Sequence, residues 1–299
     1  IVIDGVPTAN TTDTAWYCAE GTSSPGGRAD ETVIVGNLSD RESDITVAVH
    51  AGGNEQTRSF TLAGGAQRRV KVSEIAATPE PGVSVYARGG QVVVEHLVSG
   101  SDDVALGPCA RQGSADWYFA AGATAKGAFE WLALYNPFPE GALIDIEVLT
   151  RDINGDTTVD RPAERIPSVN VPGRTRVTVG IHDRIGRYSA TGLAVHARYG
   201  RVVAERSLIF DGFESRKGLA VSLGAPTLAT SFAFPEGVIG EGRAEIVAVA
   251  NPTAVAADVT VTSNFQGGIT VEPIRARVAA KTVVNIALPA SPKDLARTT

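Results

Sequence analysis

GVSVYARGGQVVVEHLV (residues 82–98) and GLAVHARYGRVVAERSLI (residues 192–209) decide the fold. In both, apolar side chains alternate with polar ones up to an Ala-Arg pair, a glycine follows, and an apolar run resumes. Successive side chains on a strand point to opposite sides, so period two marks a strand with one buried face. Working outward, SDITVAVHA, TRSFTLAGG and AQRRVKV precede the first stretch, and LIDIEVLT and RTRVTVGI precede the second. Gly, Pro, Asn or Asp separate them, and none has a helical period. About seven strands per hundred residues, with turns every 8 to 12, predict an all-β fold of tandem antiparallel immunoglobulin-like β-sandwiches. A propeller blade repeats at roughly 40–50 residues with four strands and fits poorly.

Other features recur with these strands. Trp16, Trp117 and Phe232 each precede a glycine by five residues, at Gly21, Gly122 and Gly237, and an apolar run ends at Asn37, Asn136 and Asn251. Short strands VIDGVP, VALGP and VSLGAP stand upstream of each aromatic. The reading divides the chain into sandwich units 1–103, 104–220 and 221–299. Trp16, Trp117 and Phe232 are expected as core anchors, because a core tolerates a Trp to Phe exchange better than a hydrogen-bonding site does. The three glycines are expected in turn conformations that a side chain would strain. The third unit has no counterpart of the two opening stretches, so strands absent from this chain are expected to complete it, by strand complementation from a partner, by a neighbouring copy, or by residues beyond Thr299.

Hydrophobic residues make up 43% of the 299 residues and charged ones 20%, enough to bury sizeable cores. The net charge of −6, with both signs interspersed, excludes a phosphate-binding stripe and makes nucleic acid an unexpected partner. No apolar run approaches the roughly 18–20 residues of a membrane span. The chain starts at Ile1 and contains no methionine, so an N-terminal part is expected to have been removed.

Cys18 stands beside the first aromatic and Cys109 at the start of the second unit, and because the first and last strands of a sandwich lie near each other a disulfide between them is expected. An oxidised pair would place the protein outside the cytoplasm. The second and third units carry Phe119 and Phe234 in place of Cys18, against a metal or catalytic role. Alternation puts His50, His182 and His196 on the solvent side of their strands, and His96 aligns with Arg206, so no repeated histidine site is expected. Glu95 and Glu205 occupy matched positions and are read as buried structural acids. RDINGDTTVD, from Arg151, has calcium-loop spacing, yet its glycine precedes the third ligand and no Glu closes the loop, which favours a hairpin. No metal site, cofactor or enzyme motif is expected. Trp131, Tyr135 and Phe138 form the best candidate glycan-binding platform.

The order Trp117-x-x-Ala-x-Gly, Asn136-Pro137 and VVAER (residues 202–206) resembles exported actinobacterial proteins carrying a domain of unknown function. The resemblance implies an envelope-associated protein and supplies no catalytic residues. With it, the reading expects a non-enzymatic, exported cell-envelope scaffold or protein-interaction module at the cell surface, whose partner is an envelope protein. Any membrane anchor would lie outside this chain. The alternative is a protein that binds a cell-surface glycan.

Overall fold

A computed structural model describes residues 14–24, 29–100, 103–150, 164–235, 237–239, 243–265 and 269–288. The chain is all-β: among these residues only three short 3-10 turns interrupt the strands, at Val72–Glu74, Ile181–Asp183 and Phe213–Ser215. RDINGDTTVD lies outside the described residues.

The first eight strands are β1 (Ala15–Cys18), β2 (Asp30–Asn37), β3 (Ser43–Ala51), β4 (Asn54–Leu62), β5 (Gln67–Lys71), β6 (Gly82–Arg88), β7 (Val92–Ser99) and β8 (Val104–Pro108). They form two antiparallel sheets, in orders β1-β6-β3-β4 and β5-β2-β7-β8. Between the sheets lies a core of Trp16, Val33, Val35, Ile45, Val47, Val85 and Val94. Alternation places these residues inward, because a one-residue slip would turn every one of them to solvent.

The next eight are β9 (Asp116–Gly122), β10 (Ala128–Asn136), β11 (Ala142–Thr150), β12 (Glu164–Val171), β13 (Thr175–Gly180), β14 (Thr191–Tyr199), β15 (Val203–Asp211) and β16 (Lys217–Leu223). Their order repeats the first set: β14 lies between β9 and β11, β12 pairs with β11, and the facing sheet runs β13-β10-β15-β16. Trp16 and Trp117 take the same place, both buried. Each donates its indole N–H, to the Val92 carbonyl at 2.9 Å and the Val202 carbonyl at 2.8 Å. The expectation that this position does not serve as a donor is thereby corrected.

The unit boundaries also shift. VALGP and VSLGAP were expected to open the second and third units, but β8 pairs with β7 and β16 with β15, so each closes the sheet before it.

The remaining strands are β17 (Ile246–Asn251), β18 (Ala257–Val261), β19 (Asn264–Phe265), β20 (Ile269–Thr270), β21 (Ile274–Val278) and β22 (Thr282–Ala287). Here β17 pairs with β22, β18 with β21 and β19 with β20, and one parallel bridge, Thr150 to Thr282, ties β22 to β11. These are the counterparts of β2 with β5 and β3 with β4. Among the described residues nothing takes the places of β6, β7 and β8. Phe232, expected as a core anchor, is 62% exposed, because among the described residues no strand corresponding to β6 or β14 lies over it.

Three asparagines hold all three units in the same register. Asn37 Nδ2 donates to the Arg41 and Leu62 carbonyls, Asn136 Nδ2 to those of Glu140 and Val171, and Asn251 Nδ2 to those of Val255 and Val278. Each therefore clamps the turn after its strand to the end of a later strand, β4, β12 and β21 respectively. The Asn136→Ala variant leaves buried carbonyls unpaired, which costs about 1–3 kcal/mol. Urea unfolding will show that loss, and an unchanged midpoint would sink the clamp.

Candidate functional site

The histidines and acids meet at the seam between the first two sandwiches. The outer face of the β13-β10-β15-β16 sheet packs on the first sandwich, and Ala19 and Ala110 join Ala133, Tyr135 and Val203 in one buried cluster. Tyr135 lies against Gly82, where any Cβ would collide with its ring. The second seam repeats this contact one unit on, with Gly192 against Ala250 at 3.2 Å for an added Cβ.

His96 is the centre of the first seam. Its Nδ1 lies 3.1 Å from Glu31 Oε1 of its own sandwich, and its Nε2 lies 3.3 Å from Glu205 Oε2 of the next. All three side chains are fully buried. Glu205 Oε2 also accepts the Glu20 backbone N–H at 2.7 Å. Arg176 reaches from β13 to Glu20 Oε1 at 3.3 Å and to the Gly21 and Pro81 carbonyls at 2.5 and 3.2 Å. Burial alone would lower the His96 pKa, but the Glu205 charge and the hydrogen bond with Glu31 outweigh it and lift it to about 9. Burial raises Glu31, an effect His96 partly offsets, and raises Glu205 to about 7 against the pull of the same imidazolium. The seam therefore holds protons that the unfolded chain would release.

A second relay crosses the same seam. Tyr135 Oη lies 2.7 Å from Ser84 Oγ and 2.5 Å from His50 Nδ1, while His50 Nε2 lies 2.8 Å from Glu55 Oε2. Burial lowers the His50 pKa, only partly offset by Glu55, so the ring is neutral near pH 7. One assignment satisfies every group: Ser84 donates to Tyr135, Tyr135 to Nδ1, and Nε2–H to Glu55. The order imitates a nucleophile relay, but Tyr135 and Ser84 are completely buried and the relay ties two sandwiches together. His50 was expected at the solvent side. It is buried because the second sandwich covers that face.

The second sandwich carries the inward acid again. Glu130, fully buried, lies 3.6 Å from Arg206 Nη1 and accepts the Thr191 hydroxyl at 2.6 Å. Glu31 and Glu130 both lie six residues before the clamping asparagine, and His96 and Arg206 supply the matching base. The exchange of His96 for Arg206 was expected to exclude a repeated site. Instead the acid is repeated and the base varies. The recurring glycines explain themselves here, since a Cβ at Gly21 would press on Glu31, one at Gly122 on Glu130, and one at Gly237 on Glu245. Glycine leaves room for the carboxylate to fold over the chain. Of the three, Gly21 also has a positive φ, of 128°.

Other expected residues separate. Cys18 and Cys109 form a disulfide with Cα atoms 4.7 Å apart. Their sulfurs and a His96 nitrogen lie within 4.8 Å of one another, but both sulfurs are spent in the bond. Glu95 and Glu205, expected as equivalent buried acids, differ: Glu205 is fully buried in the seam, while Glu95 faces solvent on the first sandwich, where no sheet among the described residues packs over it. The glycan platform is corrected too. Tyr135 is sealed in the seam, Phe138 stacks under the Arg201 guanidinium at 4.0 Å, and Trp131 instead packs with His182, ring centroids 4.7 Å apart. Phe129 joins Trp131 around the same imidazole, at 5.3 Å. His182 Nδ1 meets the Glu130 carbonyl at 2.9 Å, and His196 meets Asp116 at 2.6 Å, half exposed.

The model of a family described as "Family of unknown function (DUF5719)" matches residues 104–295. No curated protein matches the chain. Among solved structures the chain is similar to the crystal structure of Thermotoga maritima 1070, at 18% identity over 40% of this chain and 99% of that one, with a TM-score of 0.33. It is also similar to red sea bream transglutaminase, at 13% identity over 71% of this chain and 31% of that one, with a TM-score of 0.15. Likenesses this shallow say nothing of function.

Proposed function

The chain belongs to the DUF5719 family of unknown function, and from that premise we propose that it is a non-enzymatic, exported scaffold of the cell envelope, built of immunoglobulin-like sandwiches, whose role is to bind other envelope proteins. The observation that carries this reading is where the ionisable chemistry sits. His96, Glu31, Glu205, Glu130 and Tyr135 are all fully buried and partnered. Groups sealed this way hold sandwiches in register and reach no substrate. The disulfide fits an oxidising location, and no helix among the described residues is long and apolar enough to cross a membrane.

The test is retention on isolated cell envelopes. Saturable binding that disappears when the envelopes are first treated with protease supports a protein partner, and binding that survives the treatment overturns it. Glycan binding is the second reading, favoured by the partly exposed Phe129, Trp131 and His182 cluster. In that case Trp131→Ala, with its fold intact by circular dichroism, loses about tenfold or more in affinity for purified wall glycan. Unchanged affinity removes Trp131 from the site.

A further inference from the structure

The disulfide joins two segments that serve both sandwiches. Cys18 is the last residue of β1, a four-residue edge strand, and Cys109 follows the last residue of β8 and opens the linker that leads to β9. Both cysteines lie in the core of the first sandwich, but the residue after each, Ala19 and Ala110, is buried in the cluster of the second. Beside the bond runs one antiparallel bridge, in which Tyr17 N–H donates to the Ala110 carbonyl at 2.7 Å and Ala110 N–H to the Tyr17 carbonyl at 2.8 Å.

The residues after Cys18 carry much of the first sandwich's side of the seam. The Glu20 N–H donates to Glu205 Oε2 at 2.7 Å, the Glu20 carboxylate meets Arg176 Nη2 at 3.3 Å, and the Gly21 carbonyl accepts Arg176 Nη1. His96, which reaches Glu205 across the same seam, has a ring nitrogen within 4.8 Å of both sulfurs. The far end of the linker is already held, since Ser114 pairs with Val202 of the second sandwich. One covalent link therefore fixes both the strand end that presents Glu20 and the near end of the linker. The second sandwich has Phe119 at the place of Cys18 and builds the same kind of core without a bond, so the fold itself does not require one.

We propose that formation of this disulfide is the step that docks the second sandwich on the first, so that the two form a flexible pair while the cysteines are reduced and a rigid one after oxidation. In that step the Cys18 and Cys109 thiols give two electrons and two protons to a disulfide donor, which leaves as a dithiol, and the Sγ–Sγ bond forms. Without the bond, residues 19–21 and the start of the linker have to be ordered as the seam closes, at a cost in conformational entropy. With it they are ordered beforehand, and the contacts among Glu20, Arg176 and Glu205 are gained without that cost. Rigidity is thereby tied to an oxidising compartment. This deepens the exported-scaffold reading and rests on it for the place where oxidation occurs.

Hydrogen exchange on the full 299-residue chain, followed without denaturant before and after reduction with dithiothreitol, tests this. The Glu20 and Ala110 amides, one bonded to Glu205 and the other beside the disulfide, should exchange at least about tenfold faster on reduction. Val47 of β3 and Ile146 of β11, in the two cores, should keep their protection. X-ray scattering should show a larger radius of gyration for the reduced chain, and oxidised glutathione should reverse both changes. The Cys18→Ala/Cys109→Ala variant should behave as the reduced chain does, with or without reductant. Equal exchange in the two states, or an unchanged radius, would overturn the proposal. Loss of Val47 protection together with that of Glu20 would overturn it too, because the first sandwich would then be unfolding and not releasing its seam. A reduced chain that shows none of these changes yet still binds envelopes through protein would defeat this inference alone and leave the scaffold reading standing.

Discussion

His96→Leu destabilises the protein by about 3–5 kcal/mol, because the substitution leaves the Glu31 and Glu205 carboxylates buried without their shared cation. Urea unfolding at pH 8, where both His96 and Glu205 are charged in the native protein, measures it, and a loss below about 1 kcal/mol would show that the seam does not depend on the pair. The same residue sets a pH dependence. The folded His96 pKa is raised from 6.5 to about 9, so its contribution is complete below about 6.5 and is lost as pH climbs through 9. Glu205, raised from 4.5 to about 7, acts in the same direction, with its contribution complete below about 4.5 and lost through 7. Both groups hold protons more tightly in the folded state, so stability falls from mildly acidic to alkaline pH, on the order of 3 kcal/mol from His96 alone. Melting temperature followed from pH 5 to pH 10 should decline in the native protein, through both groups. A flat native profile would contradict the buried imidazolium.

Removing the disulfide should cost a comparable amount. Cys18 and Cys109 are 91 residues apart and join the first strand of the first sandwich to the segment that leaves it. In the chain-entropy account, opening a loop of that length costs on the order of 4–5 kcal/mol, borne by the unfolded state. The Cys18→Ala/Cys109→Ala protein should therefore unfold at a lower denaturant concentration than the disulfide-bonded protein. Thiol labelling of the unreduced, denatured native protein should find no free cysteine. Two reactive thiols would remove the bond and the argument for export with it.

Much of the fold was legible because alternation is a local property. The stretches at 82–98 and 192–209 became β6 with β7 and β14 with β15, and the cysteine pair followed from the neighbourhood of first and last strands. The buried ion pairs escaped for a physical reason. Glu31 and Glu130 stand at inward positions, where a charge runs against the pattern that identifies a strand face. The signal was nonetheless present, as an acid six residues before each of Asn37, Asn136 and Asn251, with a glycine upstream in step. His50 and Tyr135 were misplaced because alternation tells inside from outside for one sandwich only, and whether a second sandwich covers the outer face is a long-range fact. The same limit separated Glu95 from Glu205, identical in register and opposite in exposure.

The two seams differ in what holds them, and this has a mechanical consequence. At the first, an aromatic ring fills a glycine notch and buried ions reach across, with Arg176 and Glu205 both engaged. At the second, an alanine faces the equivalent glycine, and a half-exposed Lys281 meets Glu147 at 2.8 Å beside one strand bridge. Under tension along the chain, the second seam yields first while the first stays closed. The array behaves as a rigid pair of sandwiches carrying a compliant third, so that a load pulling on the third unit tilts it before anything unfolds.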